Sequence, residues 1–511
     1  MTYREELVNL INVFIHSVYP VFYANEPNAV HDVMENYRGR TMAETVARKP
    51  GRIQFVWEDT LKWSAFTIMC LHLGRSILMY FIPSRLSDYL FKAERWIIVV
   101  LLAAVFVYII YTKIKTPDLM FRIRSFFKGL FRPEFAILVL FFAWSFVCTA
   151  VSESGQTVSF FQSMKGTFKL FIDDSTLFDT FVSVFIIFIM AYILRGNTAW
   201  RMMESLFHVL CAGLTVIMVY VLYIVCNPGI NLPGSSGISM SFGRLGINCN
   251  PNTTGAIAEI ILLMCLYMVV TRRGLIRWFY IAASMVHYVI LILSNSRACI
   301  FATGLAVAAI AGKLCFDSLR SKVLWQRILI AALAAASVAG MIIGMKKTVY
   351  AAYEAISNFS TISGEYNVAR KAEITFSRRS ELWTAAIKSI FQDAKHFFFG
   401  VTPYGVAKEM SIWTESHRSV YTHNQFLEIA VAHGIPGLVM YLVWLVMIAK
   451  SCVFIAIRGQ KEACKGIVVL AGMIMMLVLS NLMEATLMYY RLFMEGIFFL
   501  ICGMVTYEEE T

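Results

Sequence analysis

Long apolar runs separated by polar loops dominate this chain. Runs of about 18 or more apolar residues recur, and each is long enough to cross a bilayer as a helix. The pattern predicts an all-α, polytopic membrane fold with about twelve spans and both chain ends on one side. The predicted spans are Leu61–Phe81, Trp96–Tyr111, Pro133–Ala150, Phe178–Leu194, Leu206–Cys226, Thr253–Val270, Leu275–Leu293, Ala298–Cys315, Ile328–Met345, Pro436–Ile455, Gly466–Leu482 and Leu487–Val505.

Two polar intervals divide this pattern. Residues 1–60 are polar and basic except for Leu10–Tyr23, and we interpret them as a cytoplasmic or interfacial segment; whether Leu10–Tyr23 spans the membrane stays open. Residues 346–435 form a long loop between the ninth and tenth spans, and loops of this length are usually functional. The first nine spans occupy 61–345, and the last three spans with an acidic cytoplasmic tail occupy 436–511.

The long loop has local structure of its own. Arg370–Asp393 shows helical periodicity, which predicts a helix with one apolar face. The residues of that face are Leu382, Ala386, Ile387 and Ile390. The sequence GVTPYG over Gly400–Gly405 then predicts a turn.

A histidine stands at the end of this loop. Thr422 followed by Gln425 fits a capping box, which places His423 and Asn424 in the first turn of a helix. That helix is predicted to break at Gly434, where the sequence Gly-Ile-Pro begins. The positive end of a helix dipole disfavours the imidazolium, so a histidine here can stay neutral and accept a proton. A structural histidine bonded to the loop backbone fits the pattern equally well.

Composition agrees with a membrane protein, and charge sets its orientation. The chain is 58% hydrophobic and 15% charged, with a net charge of +12. Every second loop from Lys113 onward is basic, so these loops face the cytoplasm and the long loop faces outward. This distribution explains the net positive charge without nucleic-acid binding. The 11 cysteines include no CxxC pair, which indicates neither a disulfide framework nor a zinc site.

Four arginines occupy outward segments, from which positive charge should be depleted. They are Arg244, Arg297, Arg378 and Arg379. Each alone is explained equally well as a lipid anchor or an ion-pair partner, but together they suit phosphate or pyrophosphate, whose oxygens match the guanidinium fork. The outward segments contain no DxD motif, P-loop or HExxH motif. Three ionisable residues inside apolar spans, His208, Glu259 and His287, are interpreted as buried structural groups.

Five segments between Arg244 and Leu438 carry a family resemblance. They are RLGINCNPN, SNSRACIFATGLAV, RRSELWTAAIKSI, FGVTPYG and HNQFLEIAVAHGIPGL. In this combination the chain resembles the O-antigen ligase and O-antigen polymerase superfamily of bacterial envelope glycan enzymes. Two departures stand out: residues 1–60 have no clear counterpart, and Thr402 stands where the family has a second glycine.

The resemblance implies a metal-independent glycosyltransferase that uses no cofactor. Its donor would be a glycan on undecaprenyl pyrophosphate, its acceptor a glycan or lipid, and its place the outer face of the bacterial cytoplasmic membrane, among membrane lipid and without nucleic acid.

Residue roles follow from the matched motifs. Arg244, Arg297 and Arg379 would bind pyrophosphate, with Arg378 as a further candidate; Arg379 is preferred because it stands four residues before a tryptophan. His423 would activate the acceptor hydroxyl or position the pyrophosphate, and Asn424 would orient the histidine.

The motifs leave the acceptor open. We favour a polysaccharide polymerase, whereas a ligase to lipid A core, a protein or a wall polymer would share the same motifs. Sugar identity, linkage and oligomeric state are not indicated. A transporter of lipid-linked substrates would also use many spans and phosphate-binding arginines, but transporters commonly show inverted repeats and mid-membrane charges. A scaffold in an envelope assembly would leave the outward arginines unexplained.

Overall fold

The computed structural model of the chain is an almost entirely helical bundle. It describes residues 70, 73–74, 133–153, 197–227, 238–241, 244–247, 250–319, 326, 328, 368–414, 421–458, 464–487 and 492–508. All of these residues lie in one compact unit, Ser64–Thr511. The segment 1–60 lies outside the described residues. The same is true, wholly or for the most part, of the predicted spans Leu61–Phe81, Trp96–Tyr111, Phe178–Leu194 and Ile328–Met345.

Helices make up most of the described chain. In chain order they are α1 (Pro133–Glu153), α2 (Asn197–Cys226), α3 (Pro251–Thr271), α4 (Leu275–Ser294), α5 (Arg297–Leu319), α6 (Val368–Ile390), α7 (Ala394–Phe399), α8 (Thr402–Trp413), α9 (Gln425–Arg458), α10 (Cys464–Ser480) and α11 (Leu492–Glu508). Between α2 and α3 lies a hairpin of two antiparallel strands, β1 (Ile238–Ser241) and β2 (Arg244–Ile247). The all-α prediction did not include this hairpin.

The described helices confirm a multi-pass membrane protein. Six of them, α1 to α5 and α9, are long and apolar enough to cross a membrane. The shorter apolar stretches Lys465–Ser480 in α10 and Phe493–Thr506 in α11 join them. These helices coincide with predicted spans, whereas the total of about twelve stays a prediction.

Helix α3 forms the centre of the bundle. The Oδ1 of Asn250 accepts hydrogen bonds from the backbone N–H groups of Asn252 and Thr253, and Pro251 occupies the first turn, where a missing N–H costs nothing. The helix is apolar on all sides and mostly buried, as expected of a helix surrounded by others. It packs against α2, α4, α5, α10 and strand β2.

Helix α9 is bent at the position predicted from the sequence. Gly434 has φ of 69° and ψ of −177° inside the helix, and Pro436 follows. A Cβ atom at Gly434 would lie 2.3 Å from the carbonyl oxygen of Phe398, so glycine is required both by conformation and by space. The bend separates a short first part, which carries the site described below, from the long membrane span.

Helices α6, α7 and α8 pack on the first part of α9. They share an apolar cluster whose buried members are Ala385, Ala386, Ile390, Val406, Met410, Ala430, Val431 and Ala432. The helix predicted over Arg370–Asp393 is confirmed as α6, but Ile387 is 50% exposed and Ser389 is buried instead. The buried face therefore turns further toward Ala385 than the apolar spacing alone indicated, because Ala385 and Ser389 are small enough for close packing.

The predicted turn at Gly400–Gly405 is shorter than expected. Helix α8 begins at Thr402, so only Gly400 and Val401 separate it from α7. The N–H of Val401 donates to the carbonyl of Val431 at 2.9 Å, which brings this connection against α9. Thr402 has φ of 67°, the left-handed conformation that a glycine would adopt readily.

Candidate active site

The turn before α9 holds His423 outside the helix. Asn424 caps the helix, since its Oδ1 accepts from the N–H groups of Phe426 at 2.9 Å and Leu427 at 3.1 Å. His423 lies before the cap, in the left-handed region with φ of 53°. The predicted capping box, with His423 and Asn424 in the first turn, is therefore wrong.

The hydroxyl of Thr422 has a different partner, which explains why it does not cap. Both the backbone N–H and the Oγ1 of Thr422 donate to Oε2 of Glu428, at 2.9 and 2.6 Å. Thr422 and Glu428 are fully buried. A carboxylate in the first helical turn thus ties the residue before His423 to the helix, which fixes the histidine turn on both sides.

A second turn, Asn481–Leu487, follows α10 and is bonded to the histidine turn. The N–H of Gln425 donates to the carbonyl of Asn481 at 3.0 Å, and the N–H of Leu487 donates to Oε1 of Gln425 at 3.1 Å. The side-chain amide of Asn424 donates to the carbonyl of Leu482 at 3.0 Å. Backbone and amide groups far apart in the sequence therefore hold the two turns in register.

The second turn also has internal bonds. The Oδ1 of Asn481 accepts from the N–H and the hydroxyl of Thr486, at 2.7 and 3.1 Å, and all of these groups are buried. Such a turn presents the residues between its ends in a fixed direction. One of these residues is Glu484.

Glu484 connects the predicted site residues to one another. Its side chain is 8% exposed, and its Oε2 lies 3.1 Å from Nδ1 of His423. Its Oε1 accepts from Nη2 of Arg379 at 2.8 Å and from the amide of Asn252 at 2.6 Å. An ionised carboxylate only accepts, so Nδ1 of His423 is the donor, and in the neutral imidazole Nε2 is then the acceptor. The His423 side chain is 41% exposed, so this second nitrogen belongs to an accessible ring.

Arg244 joins the cluster from strand β2. Its Nη2 donates to Oδ1 of Asn252 at 2.6 Å, and its Nε donates to the carbonyl of Ser294 at 3.0 Å. Burial lowers the pKa of Arg244, and the positive charges of Arg297 and Arg379 lower it further, while Glu484 opposes the shift. A guanidinium stays charged in proteins, so the direction of this pKa shift reports crowding of positive charge.

Arg297 reaches the cluster from the first turn of α5. Asn295 ends α4 in the left-handed conformation, and α5 starts two residues later. A Cβ atom at Gly255 would lie 2.7 Å from Cβ of Ser296, so α3 supports this tight connection at close range. Arg297 is exposed, and it makes no hydrogen bond or ion pair with the part of the chain that the structure describes. Its guanidinium is therefore available to a ligand.

Four of the predicted site residues thus meet at one end of the bundle: Arg244, Arg297, Arg379 and His423. The side chain of Arg378 lies outside the described residues. The polar atoms of Asn424 bond to backbone groups, so its described contacts shape the turn.

Sequence reasoning missed Glu484 and Asn252. Glu484 lies in the connection Met483–Thr486, which we expected only to join two spans, and Asn252 lies in the first turn of α3. The available signal was a lone carboxylate in an outward loop, opposite several outward arginines that needed a counter-charge.

The three ionisable residues that the sequence analysis singled out inside spans each have a polar partner. Glu259 accepts from the hydroxyls of Ser480 at 3.0 Å and Thr303 at 3.4 Å. His287 bonds to the hydroxyl of Thr215 at 3.1 Å, and His208 bonds to the hydroxyl of Tyr280. These contacts agree with their interpretation as buried structural groups.

Fold and site together define a class: a multi-pass helical membrane protein with a histidine and several arginines gathered around one buried carboxylate. Residues 282–442 match the family model Wzy_C, described as O-antigen ligase, and the chain thus contains a Wzy_C O-antigen ligase domain. Enzymes of this family are membrane proteins of the O-antigen ligase or polymerase type that transfer lipid-linked glycans. A comparison with curated proteins finds no match.

The match includes only part of the cluster. Arg297, Arg379 and His423 lie within it, whereas Arg244, Asn252 and Glu484 lie outside. The folded chain therefore brings residues from before and after the matched segment to the cluster residues that lie within it.

Proposed function

We propose that this protein is a metal-independent glycosyltransferase that elongates a surface polysaccharide. It transfers a glycan from undecaprenyl pyrophosphate to an acceptor hydroxyl of another lipid-linked glycan, on the extracytoplasmic face of the bacterial cytoplasmic membrane. The family match supports the lipid-linked glycan as substrate class.

The observation that carries this proposal is the charge of the cluster. The guanidinium groups of Arg244, Arg297 and Arg379 are near one another, and Glu484 is the carboxylate that faces them. Among the described residues, positive charge is therefore in excess at the end of the bundle where His423 is accessible. A pyrophosphate would supply the missing negative charge through two-point bonds to guanidinium groups.

In the proposed reaction, His423 acts as the general base. Glu484 holds Nδ1–H, so Nε2 takes the proton of the acceptor hydroxyl as its oxygen attacks the anomeric carbon. The new glycosidic C–O bond forms while the bond to the pyrophosphate oxygen breaks. The electron pair of that bond stays on the pyrophosphate, where Arg297, Arg379 and Arg244 stabilise it. A single displacement of this kind inverts the anomeric configuration.

The location of the cluster supports an enzyme over a transporter. The arginines lie at the start of α5, in strand β2 and in α6, whereas Glu259 and His287, within α3 and α4, pair with hydroxyl groups. A transport pathway would need charged groups near the bilayer midplane. The orientation of the basic loops supports the extracytoplasmic face for this end.

The test is reconstitution of the purified protein in liposomes with an undecaprenyl-pyrophosphate-linked oligosaccharide, in the presence of a metal chelator. We expect a ladder of regularly spaced products. His423→Ala should lower the rate by about 1,000-fold, because general-base catalysis contributes about 100- to 10,000-fold. His396→Ala, which changes a histidine of helix α7 away from the cluster, is the matched control and should keep the ladder.

Three other outcomes would change the proposal. Single transfer that requires a core lipid, protein or wall polymer would replace the polymerase with a ligase. Loss of the ladder with chelator, restored by a divalent cation, would overturn metal independence. Full activity of His423→Ala would overturn the role of the histidine.

A further inference from the structure

An exposed apolar patch lies where α6 meets α7. The ring centroids of Phe391 and Phe397 are 5.7 Å apart, and those of Phe397 and Phe398 are 5.1 Å apart. Phe391 is 64% exposed and Phe398 is 49% exposed. Ile387 is exposed as well, and it lies one turn before Phe391, whose N–H donates to its carbonyl at 3.1 Å. We call these four residues the α6–α7 patch, and a contiguous apolar surface of this kind indicates an interaction site.

The α6–α7 patch lies beside a membrane span. Phe399, at the end of α7, stacks on Trp144 of α1 with ring centroids 5.3 Å apart and ring planes 19° apart. Leu140 and Val147, one turn to either side of Trp144, are exposed apolar residues of the same span. The apolar surface that α1 presents to lipid therefore continues onto α7.

The length of α1 shows how deep this contact lies. The apolar span begins at Pro133, directly after Arg132, and the rise from Pro133 to Trp144 is about 16 Å. The hydrocarbon core of a bilayer is about 30 Å thick. The ring of Phe399 is therefore level with the apolar part of α1 rather than with the water beyond its end.

Helix α9 gives a second measure of depth. The carbonyl of His433, at the bend, accepts from Nε1 of Trp144 at 2.9 Å, so the bend lies level with α7. From Gly434 to Lys450, the first charged residue after the bend, the rise is about 24 Å. Arg132 and Lys450 both belong to basic segments that are predicted to face the cytoplasm. Counted from that side, α7 lies about 6–14 Å below the opposite edge of the core, close to the depth of about 5–10 Å at which interfacial helices lie.

Two lysines flank the patch at the same spacing. Lys388 stands three residues before Phe391, and Lys395 stands three residues before Phe398, and both lysines are exposed. Residues three apart on a helix are neighbours, so each lysine stem lies along an exposed phenylalanine and its ammonium extends toward the membrane surface. The carboxylate of Asp393 between them accepts a backbone N–H of α7 at 2.8 Å. Apolar rings beside cationic groups match the acyl chains and phosphates of phospholipids.

We propose that the α6–α7 patch inserts into the lipid leaflet at the cluster end of the bundle, with Lys388 and Lys395 on phospholipid headgroups. The proposal does not rest on the proposed function, because the patch and its depth follow from contacts within the fold. Part of the long loop thus returns to the membrane instead of standing in water. Since α6 also carries Arg379, lipid contact at one end of this helix sets the height of the arginine above the bilayer.

Photo-crosslinking tests the contact without any turnover. The photoreactive residue p-benzoylphenylalanine replaces Phe391 or Phe398 in the full chain, in liposomes of equal parts phosphatidylcholine and phosphatidylglycerol. After irradiation, adducts are mapped by mass spectrometry, and we expect phospholipid on both positions. Thr384 is the matched control, because it is exposed on α6 about 10 Å from Phe391 in the direction of Arg379. The same probe there should capture no lipid.

Three results would overturn the proposal. Adducts between two copies of the chain, seen at twice the mass, would show that a second protein covers the patch. Probes that capture neither lipid nor protein would show that the patch faces water. Equal lipid capture at Thr384 would show that the patch is not the point of contact. Thermal unfolding in detergent should match the wild type for all three probe variants, since each replaces an exposed side chain.

The lysines are tested by the choice of lipid. With the probe at Phe398, we expect more phosphatidylglycerol than phosphatidylcholine in the adducts. Lys395→Gln should lower this preference about fivefold, which corresponds to the contribution of about 1 kcal/mol from one basic residue at an anionic surface. Lys408→Gln, which changes an exposed lysine of α8, is the control and should leave the preference unchanged. Equal preference in the Lys395→Gln variant and the wild type would refute the headgroup contact.

Discussion

Two buried glutamates of this protein have opposite surroundings. Glu259 lies within α3, and its described partners are neutral: the hydroxyls of Ser480 and Thr303 and the thiol of Cys299. Glu484 lies in the turn after α10, and its described partners are Arg379, His423 and the amide of Asn252. Both are almost fully shielded from solvent, at 1% and 6% exposure of the residue.

The comparison teaches that burial alone does not identify a functional carboxylate. Hydroxyl partners satisfy an acid group without adding charge, which suits a structural role inside a membrane. With a cationic partner, the carboxylate acts as a counter-charge. With a histidine partner, it also fixes which ring nitrogen carries the proton. The charge of the partners, rather than the depth of burial, separates these two glutamates.

The largest expected effect comes from neutralising each carboxylate in turn. Glu484→Gln should lower kcat by about 100-fold, because Nδ1 of His423 loses its anionic partner. The KM for the donor should stay equal or fall, since a negative charge beside the pyrophosphate is removed. Glu259→Gln should change kcat less than about threefold, because the amide oxygen still accepts from a hydroxyl.

Both variants are measured in liposomes, with thermal unfolding in detergent as the check on folding. Similar losses of kcat in the two variants, at equal stability, would break the distinction between the two glutamates. A kcat for Glu484→Gln near that of the wild type would remove the carboxylate from the mechanism.

The next largest effect is expected when one hydrogen-bond donor to each glutamate is removed. Asn252→Ala should raise the KM for the donor about tenfold, because Asn252 holds both Arg244 and Glu484, and hydrogen bonds to charged groups contribute about 1.5–3 kcal/mol. Ser480→Ala removes a neutral donor to Glu259 and should cost about 1 kcal/mol of stability with little change in KM. Steady-state kinetics and thermal unfolding of both variants give the answer. An Asn252→Ala variant that loses stability and keeps its KM would make the asparagine purely structural.

The smallest effect is expected for a substitution at Thr402, which contacts neither glutamate, and it concerns stability alone. Thr402→Gly should raise the free energy of unfolding by about 1 kcal/mol, since the left-handed backbone at Thr402 strains a β-branched residue and suits glycine. Thr384→Gly, on the exposed and helical surface of α6, should lower it by about 0.5–1 kcal/mol. Thermal unfolding measures both changes, and kcat should be unaffected. Destabilisation by Thr402→Gly would show that the threonine side chain contributes more than the strain costs.

Much of the fold follows from hydropathy. Bilayer thickness sets the length of a span, so α1 to α5 and the long part of α9 could be predicted from apolar runs. The break at Gly434 could be predicted as well, because glycine near proline interrupts a helix locally. The hairpin of β1 and β2 was not predicted, because an alternation of only four residues in each strand is too short to stand out among long apolar runs.

The site was only partly predictable, for a different reason. Arg244, Arg297, Arg379 and His423 each carry a local signal, as cations in outward segments or as a motif. Glu484, the partner of Arg379 and His423, belongs to no motif and stands out only as a lone carboxylate in an outward loop, because its role arises from contacts that span more than 60 residues of sequence. The predicted helix cap was wrong for a similar reason. Asn424 rather than Thr422 caps α9, because the threonine hydroxyl donates to Glu428 instead.

The contact between the two turns also has a consequence for how the protein is made. Spans enter the membrane in the order of synthesis, so Arg244, Arg297, Arg379 and His423 are all in place before the turn Asn481–Leu487 emerges from the ribosome. Until that turn bonds to Gln425, the positive charges at this end lack their carboxylate. A nascent or C-terminally truncated chain would therefore hold a membrane-inserted but unassembled centre, and catalytic competence would begin only when the last pair of helices is inserted.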